Sequence, residues 1–210
     1  ANPYNTTHPI TSSRYTWVDS GLKKYNSCSY PIDQKIQNKF DLVKAKLFGF
    51  TKSYDEVTAV YKDSNQPSLY AKSLSNFLKG KNAQSIEYLN DLIQADKKNP
   101  YFRELIAEIY FTSQDYEKAI KYQNDAIKLI ENENDLLFMM LGSYILASNK
   151  NLNDSIGNLK KSLRINHQNS YSWYLLAQAY AEKNSIALAQ YATAERYFLM
   201  NDRAMALKFV

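Results

Sequence analysis

Small side chains recur among large apolar ones at a repeated helical spacing from about residue 68 onward. One set is separated by 34, 36 and 34 positions and comprises Ser85, Ala119, Ser155 and Ala189. A second set lies twelve positions earlier and comprises Ser73, Ala107, Ser143 (with Gly142 beside it) and Ala177. Two helices pack closely only where small side chains let their backbones approach. The two sets therefore predict repeated helical hairpins, in which large residues such as Ile106 and Tyr110 fill the remaining contacts.

Residues that favour helix ends fit the same hairpins. Asn99 followed by Pro100 is typical of an N-cap and the first helical position. Asp115 is a second candidate N-cap, and Gly80 is typical of a turn between helices. The pattern predicts eight helices, near residues 68–79, 83–95, 100–112, 116–130, 135–148, 153–165, 170–183 and 186–200.

The segment before the repeats has a different pattern. Apolar residues at steps of three and four predict one helix over residues 31–50, with Ile32, Ile36, Phe40, Val43 and Leu47 on one stripe. Residues 51–67 are polar, and one short helical turn is expected there, so that 31–67 forms a helix plus linker. Residues 1–30 are polar and show no period. We expect them to be irregular.

The period of 34 residues is that of the tetratricopeptide repeat (TPR). The string "WYLLAQAY" at 173–180 resembles a first TPR helix, and "SQDYEKAIKY" at 113–122 resembles the turn and second helix. The resemblance implies an all-α, TPR-type helix-turn-helix solenoid of about four to five repeats. We predict repeats at 68–98, 99–133, 134–168 and 169–200, and a partial repeat at 193–210. Because a repeat array needs a closing cap, the parent chain is expected to continue.

Composition and charge narrow the possible functions. Hydrophobic residues make up 45% and charged residues 22% of the 210, which are globular values. No apolar run approaches the roughly 20 residues of a membrane span. Residues 1–52 hold eight Lys and Arg against three Asp and Glu, whereas residues 53–210 hold eighteen of each. No basic stripe interleaved with aromatic residues is visible, so we expect neither nucleic-acid binding nor membrane insertion.

No catalytic or metal site is predicted within this sequence. Cys28 is the single cysteine, which excludes an internal disulfide or a cysteine-based zinc site. His8 and His167 are the two histidines, and neither lies in a catalytic signature. Phosphate-binding glycine loops, paired-carboxylate motifs and nucleophile elbows are also missing from the sequence. We therefore expect no catalytic residue, no metal ligand set and no cofactor in this chain.

The first helix of each TPR hairpin lines a groove, which suggests where a protein or peptide would bind. The groove-facing candidates are aromatic with some acid, a surface that suits extended peptide. About half of them are expected to pack between repeats instead. These candidates are Tyr70, Phe77, Tyr101, Glu104, Glu108, Phe111, Met139, Tyr171, Tyr174 and Gln178.

Some TPR proteins hold a C-terminal carboxylate with Lys and Asn at fixed groove positions. The matching positions of this chain carry no positive charge, so no preference for acidic C-terminal tails is predicted. They hold Tyr70, Glu104, Met139 and Tyr174, followed by Leu74, Glu108, Ser143 and Gln178.

Four strings, in order along the chain, resemble one bacterial family, the periplasmic zinc metalloproteases of the BepA type. "THPITSSR" at 7–14 resembles a stretch near the end of their protease domain, and "KAKLFGF" at 44–50 resembles the helix that follows. "NPYFREL" at 99–105 and "AERYFLMND" at 194–202 resemble strings of their TPR domain, although Asn201 replaces a glycine.

The resemblance implies that this chain is the C-terminal, TPR-containing part of such a protease. The HExxH zinc helix of that family is not in this sequence. His8 matches a family histidine that lies near the metal and restrains access to it, but His8 alone cannot form a zinc site. Zinc would therefore belong to the parent protease domain, whereas His167 is expected to be structural.

The function that combines the repeats with the resemblance is binding of protein or peptide. The TPR domain would present outer-membrane proteins, or their assembly machinery, to an attached zinc metalloprotease in the periplasm, as part of outer-membrane protein quality control. The alternative is a free-standing TPR scaffold or assembly factor with no enzyme attached. The sequence leaves the oligomeric state open.

Overall fold

The computed structural model describes residues 11–24 and 33–209 of the chain. Every regular element in those two ranges is a helix, so the predicted all-α fold is confirmed. The chain forms two compact units, Ala1–Asp41 and Leu42–Val210. The second unit contains the helical hairpins. His8 and Cys28 lie outside the described residues.

The helices agree closely with those predicted from residue 68 onward. The largest difference is at the helix predicted over residues 116–130, which ends at Ile127 in the structure. The helices of the described ranges are α1 (Thr11–Lys24), α2 (Gln34–Thr51), α3 (Tyr54–Val60), α4 (Gln66–Leu78), α5 (Asn82–Ala95), α6 (Pro100–Thr112), α7 (Tyr116–Ile127), α8 (Asp135–Ser148), α9 (Leu152–Ile165), α10 (Ser170–Glu182), α11 (Ile186–Leu199) and α12 (Arg203–Ala206), followed by a 3-10 turn at Leu207–Phe209.

An asparagine caps the first helix of each of the four hairpins. In each case the side-chain oxygen accepts a hydrogen bond from a backbone N–H of the first turn, which otherwise has no partner within the helix. These caps are Asn65, Asn99, Asn134 and Asn169. Their regular recurrence sets the start of α4, α6, α8 and α10.

A residue in the left-handed conformation ends the first helix of each hairpin. Glycine adopts this conformation freely and asparagine tolerates it. The four residues are Gly80 (φ 73°), Gln114 (φ 62°), Asn149 (φ 52°) and Asn184 (φ 59°). Each donates its N–H to a carbonyl of the preceding turn. The chain therefore reverses at equivalent positions, and the two helices of each hairpin lie side by side.

The small residues lie where the two helices of a hairpin cross. Ser85 Oγ donates a hydrogen bond of 2.7 Å to the carbonyl oxygen of Ser73, and Ser155 Oγ donates one of 2.8 Å to that of Gly142. A Cβ at Gly142 would lie 2.7 Å from Leu159 Cγ. Gly142, rather than Ser143 beside it, therefore occupies the close crossing in the third hairpin.

Apolar side chains of successive hairpins form a series of cores within residues 42–210. One core joins α4, α5 and α6 around Leu74, Leu89 and Phe102. Another joins α8, α9, α10 and α11 around Leu159 and Leu176. Between them lies a small cluster formed by Ala107, Ala119 and Tyr144, all fully buried.

The structure differs from the expected irregular segment at residues 1–30. Residues 11–24 form α1, which carries a Lys23–Asp19 ion pair one turn apart. Its aromatic side chains Tyr15 and Trp17 are exposed. Because α1 has no apolar stripe facing a core, periodicity could not reveal it. Residues 1–10 and 25–30 lie outside the described ranges.

The predicted helix at 31–50 is present as α2, but its apolar stripe is not its buried face. The small residues Ala45 and Gly49 are the buried ones, and a Cβ at Gly49 would lie 2.8 Å from the carbonyl oxygen of Ala71 on α4. Close approach of the two backbones therefore selects small side chains. The exposed stripe residues are Ile36, Phe40, Val43 and Leu47.

Candidate functional site

Two carboxylates lie one turn apart on α6, the first helix of the second hairpin. Glu104 and Glu108 share a helix face because they are four positions apart, and both are half-buried. Glu104 Oε2 is buried and has no hydrogen-bond partner among the described residues. It lies 3.5 Å from Nζ of Lys46 on α2. Lys46 therefore forms an ion pair with one of the two carboxylates, Glu104.

The electrostatics of Glu108 reflect this imbalance. Burial raises the pKa of Glu108, and the negative charge of Glu104 raises it further. The positive charge of Lys46 lowers it by a smaller amount. Burial and a like charge both disfavour an ionised carboxyl, and a nearby cation would favour it. The surroundings of Glu108 are therefore short of positive charge.

Two tyrosine hydroxyls lie close enough to these carboxylates to be affected by their charge. Tyr70 on α4 is 3% exposed and Tyr144 on α8 is fully buried. Neither hydroxyl has a hydrogen-bond partner within the described part of the chain. Burial is the main cause that raises the pKa of each phenol, and the charges of Glu104 and Glu108 raise both further. Both hydroxyls are therefore buried without a hydrogen-bond partner in the described part of the chain, and nearby negative charge disfavours their ionisation.

Aromatic contacts fix the rings of both tyrosines. The ring of Tyr70 meets Phe102 edge-on with centroids 5.1 Å apart. The ring of Tyr144 stacks on Phe111 at 4.5 Å. Such pairs contribute about 0.5–1.5 kcal/mol beyond the burial of their area. The positions of the hydroxyls are therefore set by packing rather than by hydrogen bonds.

Further aromatic side chains lie at the surface of the first helices. Tyr101, near the start of α6, is 48% exposed, and Lys46 Nζ lies 5.7 Å from its ring centroid. Tyr171 holds the equivalent place on α10 and is 52% exposed. It stacks on Tyr174 at 5.7 Å, over which the Arg196 guanidinium lies at 4.5 Å. Two exposed aromatic surfaces therefore lie two repeats apart.

An open depression separates the first helices of the third and fourth hairpins. Its volume is about 590 Å³, and Ser143 and Leu146 on α8 line one side while Leu175 and Gln178 on α10 line the other. Gln178 Nε2 also donates a hydrogen bond of 3.1 Å to the hydroxyl of Tyr174. The depression therefore adjoins the aromatic surface of α10.

The ten groove candidates of the sequence fall into three sets. Tyr70, Tyr101, Glu104, Glu108 and Phe111 belong to the acidic region or its aromatic support. The second set, on α10, comprises Tyr171, Tyr174 and Gln178. Phe77 and Met139 contribute instead to the cores between repeats.

Three neighbours of these sets were not found from the sequence. Tyr144 lies two residues after Gly142, the small residue at the crossing of the third hairpin. The equivalent residue of the second hairpin is Ile109, an ordinary core side chain. Lys46 lies on α2, before the first repeat, and Arg196 lies on a second helix. No periodic signal links these positions to the first helices, because their proximity arises only from tertiary packing.

The described ranges contain neither a candidate metal site nor a candidate membrane-spanning helix. No group of three or more His, Cys, Asp or Glu residues there could hold a metal ion. Among the same residues, no helix combines the length and the apolar character needed to cross a bilayer. His167 contacts Trp173, whose indole N–H donates a hydrogen bond of 3.0 Å to the carbonyl oxygen of His167. This contact fits the structural role expected for His167.

Comparison with known families identifies the repeat directly in one hairpin. Residues 102–133 match the family model for the tetratricopeptide repeat. This segment begins within α6 and extends beyond α7. Among curated protein sequences, none matches this chain.

Comparison with solved structures shows the same fold over most of the chain. YrrB, described as a TPR protein with an unusual peptide-binding site, is 14% identical, with a TM-score of 0.58 over 90% of this chain and 95% of YrrB. MamA from Desulfovibrio magneticus RS-1 is 15% identical, with a TM-score of 0.59 over 69% of this chain and 90% of that protein. The Pseudomonas aeruginosa protein pilF is 15% identical, with a TM-score of 0.54 over 70% and 73%. The chain therefore has a TPR-type fold.

Proposed function

We propose that the surface formed by the first helices of the hairpins binds an extended segment of protein or peptide. The observation that carries this proposal is the pair of half-exposed tyrosines, Tyr101 and Tyr171, at equivalent places two repeats apart. Aromatic side chains give a large contact area at low entropic cost, and exposed apolar clusters on a repeat surface favour binding. The fold shared with YrrB, which is described as having a peptide-binding site, supports the same proposal.

A peptide with neutral and aromatic side chains tests this function most simply. The probe is a fluorescein-labelled nonapeptide, Gly-Tyr-Ser-Phe-Gln-Tyr-Ser-Phe-Gly, titrated with the whole chain by fluorescence anisotropy. Tyr101→Ala and Tyr171→Ala each remove an exposed aromatic side chain of a first helix. We expect each to weaken binding by about tenfold, which corresponds to about 1.4 kcal/mol.

The matched control replaces an exposed aromatic residue outside the first helices. Phe198 lies on α11, the second helix of its hairpin, and is 61% exposed. Phe198→Ala is expected to leave the affinity unchanged. Equal losses in all three variants would indicate nonspecific apolar adsorption and contradict a groove on the first helices. Lack of any binding by the unmodified chain would contradict the proposed function itself.

The finer proposal is that this binding surface serves a periplasmic zinc metalloprotease of the BepA type. Outer-membrane proteins or their assembly machinery would be the bound partners, and zinc would be held by a separate protease domain. The four strings that resemble that family support the proposal. Sequencing the gene upstream of the codon for Ala1 tests it. An HExxH helix and a signal peptide there are expected, whereas a start codon directly before Ala1 would favour a free-standing scaffold.

A binding role assigns no reaction and no cofactor to this chain. The proposal can be tested with purified chain and casein, with and without added zinc. We expect no cleavage in either sample. Zinc-dependent cleavage at one metal ion per chain would contradict a purely binding role and would require a catalytic site.

A further inference from the structure

Helix α2 carries a stripe of large apolar side chains that the described residues leave uncovered. The small residues of the same helix are the buried ones: Ala45 is fully buried, and a Cβ at Gly49 would lie 2.8 Å from the carbonyl oxygen of Ala71 on α4. The stripe residues are 57–66% exposed, and Phe50, which is 39% exposed, continues their spacing. Apolar side chains that share one exposed face mark interaction sites. The stripe comprises Ile36, Phe40, Val43 and Leu47.

The spacing of the stripe is that of a coiled-coil seam. Successive residues, up to and including Phe50, are four, three, four and three positions apart, which gives a strict period of 3.5 residues. Because α2 is one continuous helix, these five side chains fall within an arc of about 80°. An apolar face that packs on a globular core is at least about 100° wide, and a helix that lies in a membrane surface needs a large apolar face as well. The narrow seam therefore fits another helix better than it fits a lipid surface.

Basic residues flank the stripe on both sides. Lys39 and Lys46 lie at the positions called g in a heptad, and Lys44 lies at position e. Lys46 contacts Glu104 at 3.5 Å, whereas Lys39 and Lys44 are exposed and form no ion pair with another described residue. Asp41, the single acidic residue of α2, lies about 140° round the helix from the centre of the stripe. Residues at e and g select a partner through ion pairs across the seam, so these flanks favour an acidic partner.

A second copy of the chain fits the stripe poorly. Two parallel copies would place Lys39 of each opposite Lys44 of the other, because position g faces the following position e across a coiled-coil seam. Two antiparallel copies would place g opposite g, which again brings lysine to lysine. Like charges at these positions act against such a pair. Charge therefore disfavours self-association in either orientation.

We propose that the stripe on α2 docks an amphipathic helix of another protein, one with an apolar seam of the same period and acidic residues at its flanking positions. The seam from Ile36 to Phe50 is about 21 Å long, which two heptads of a partner helix would cover. This interaction surface is separate from the peptide-binding surface proposed above, because α2 precedes the first hairpin. The two surfaces can therefore be tested independently.

Two synthetic helices that share an apolar seam and differ in flanking charge test this proposal. The acidic probe is three repeats of Glu-Ile-Ala-Ala-Leu-Glu-Lys, and the basic probe is three repeats of Lys-Ile-Ala-Ala-Leu-Lys-Glu. Each is labelled with fluorescein and titrated with the whole chain by fluorescence anisotropy at low ionic strength. We expect the acidic probe to bind about tenfold more tightly, because opposite charges at e and g stabilise the pair.

Variants separate the seam from its flanks. Leu47→Asn places a polar amide in the seam and should weaken binding of the acidic probe about tenfold; Leu47 is 60% exposed, so its replacement should not unfold the chain. Lys39→Glu combined with Lys44→Glu should reverse the preference in favour of the basic probe. The matched control is Val60→Asn, at an exposed apolar residue that ends α3, and it should leave both affinities as they are.

Three results would overturn the proposal. Equal binding of the two probes, or binding that survives Leu47→Asn, would mean that the stripe and its flanks do not select an acidic helix. Dimerisation of the chain that Leu47→Asn abolishes, measured by analytical ultracentrifugation, would show that a second copy covers the stripe. Binding to phosphatidylcholine–phosphatidylserine vesicles that Leu47→Asn abolishes, without binding of the acidic probe, would assign the stripe to a lipid surface.

Discussion

Replacing Tyr144 with phenylalanine should make the folded chain more stable. Tyr144 is fully buried, and its hydroxyl has no hydrogen-bond partner among the described residues. A buried unpaired polar group costs about 1–3 kcal/mol, and Tyr144→Phe removes that cost. The phenylalanine ring keeps the stacking contact with Phe111, whose centroid lies 4.5 Å away. The free energy of unfolding should therefore rise by about 1 kcal/mol or more.

Thermal and urea unfolding followed by circular dichroism measure this change. For a chain of this length, a gain of 1 kcal/mol raises Tm by about 2–4 °C. Tyr174→Phe is the matched control, because the hydroxyl of Tyr174 accepts a hydrogen bond from Gln178 and its loss should not stabilise the fold.

The opposite result for Tyr144→Phe would refute the reasoning. A loss of 1 kcal/mol or more would show that the hydroxyl makes a stabilising hydrogen bond in the folded chain. The hydroxyl of Tyr144 would then have a partner in the folded chain, contrary to the structure.

Three further predictions follow from the packing and charges. Ala107 is fully buried at a helix crossing, so Ala107→Leu should overpack it and lower the free energy of unfolding by about 1–3 kcal/mol; unchanged melting would mean that the repeat register is wrong. Because the pKa of Glu108 is raised on folding, the folded chain binds more protons than the unfolded chain between the two pKa values, and stability falls as pH rises through that window. Glu108→Gln should therefore raise Tm at pH 7 and lose this advantage below about pH 4, near the ordinary pKa of glutamate; an equal effect at both pH values would contradict the assigned cause. Finally, amidating the C-terminus of a groove-binding peptide should not weaken its binding, because Glu104 and Glu108 occupy positions where a carboxylate clamp needs positive or neutral donors. Nanomolar binding of a peptide with a free C-terminal carboxylate that is lost on amidation would contradict this prediction.

The sequence predicts the hairpins well because their determinants are local and repeated. Three determinants each act within one hairpin: the small residues at each crossing, the apolar period of 3.6 residues, and the N-cap at Asn99. The turn at Gln114 could not be predicted from its residue type, because glutamine rarely adopts the left-handed conformation that the hairpin requires there. The buried face of α2 was not predictable for a similar reason. Small residues at Ala45 and Gly49 are selected by the approach of α4, which hydrophobicity does not reveal.

The acidic region could be predicted only in part. Glu104 and Glu108 were candidates because TPR geometry places their positions on the groove side of a first helix. Tyr144 and Lys46 come from α8 and α2, and no spacing in the sequence relates them to α6. Whether a polar atom is unpaired is also a property of the packed structure alone. The chemistry of a repeat surface therefore depends on contacts between repeats, which periodicity does not encode.

Site-specific photo-crosslinking tests the central claim, that the first helices bind extended peptide, most directly. A benzophenone amino acid is placed at the position of Tyr101, Tyr171 or Phe198 in three separate preparations of the whole chain, and each is irradiated with the labelled nonapeptide. We predict strong crosslinking from the positions of Tyr101 and Tyr171, background crosslinking from that of Phe198, and suppression of the signal by excess unlabelled peptide. Equal crosslinking from all three positions, or crosslinking confined to the position of Phe198, would contradict a binding groove on the first helices.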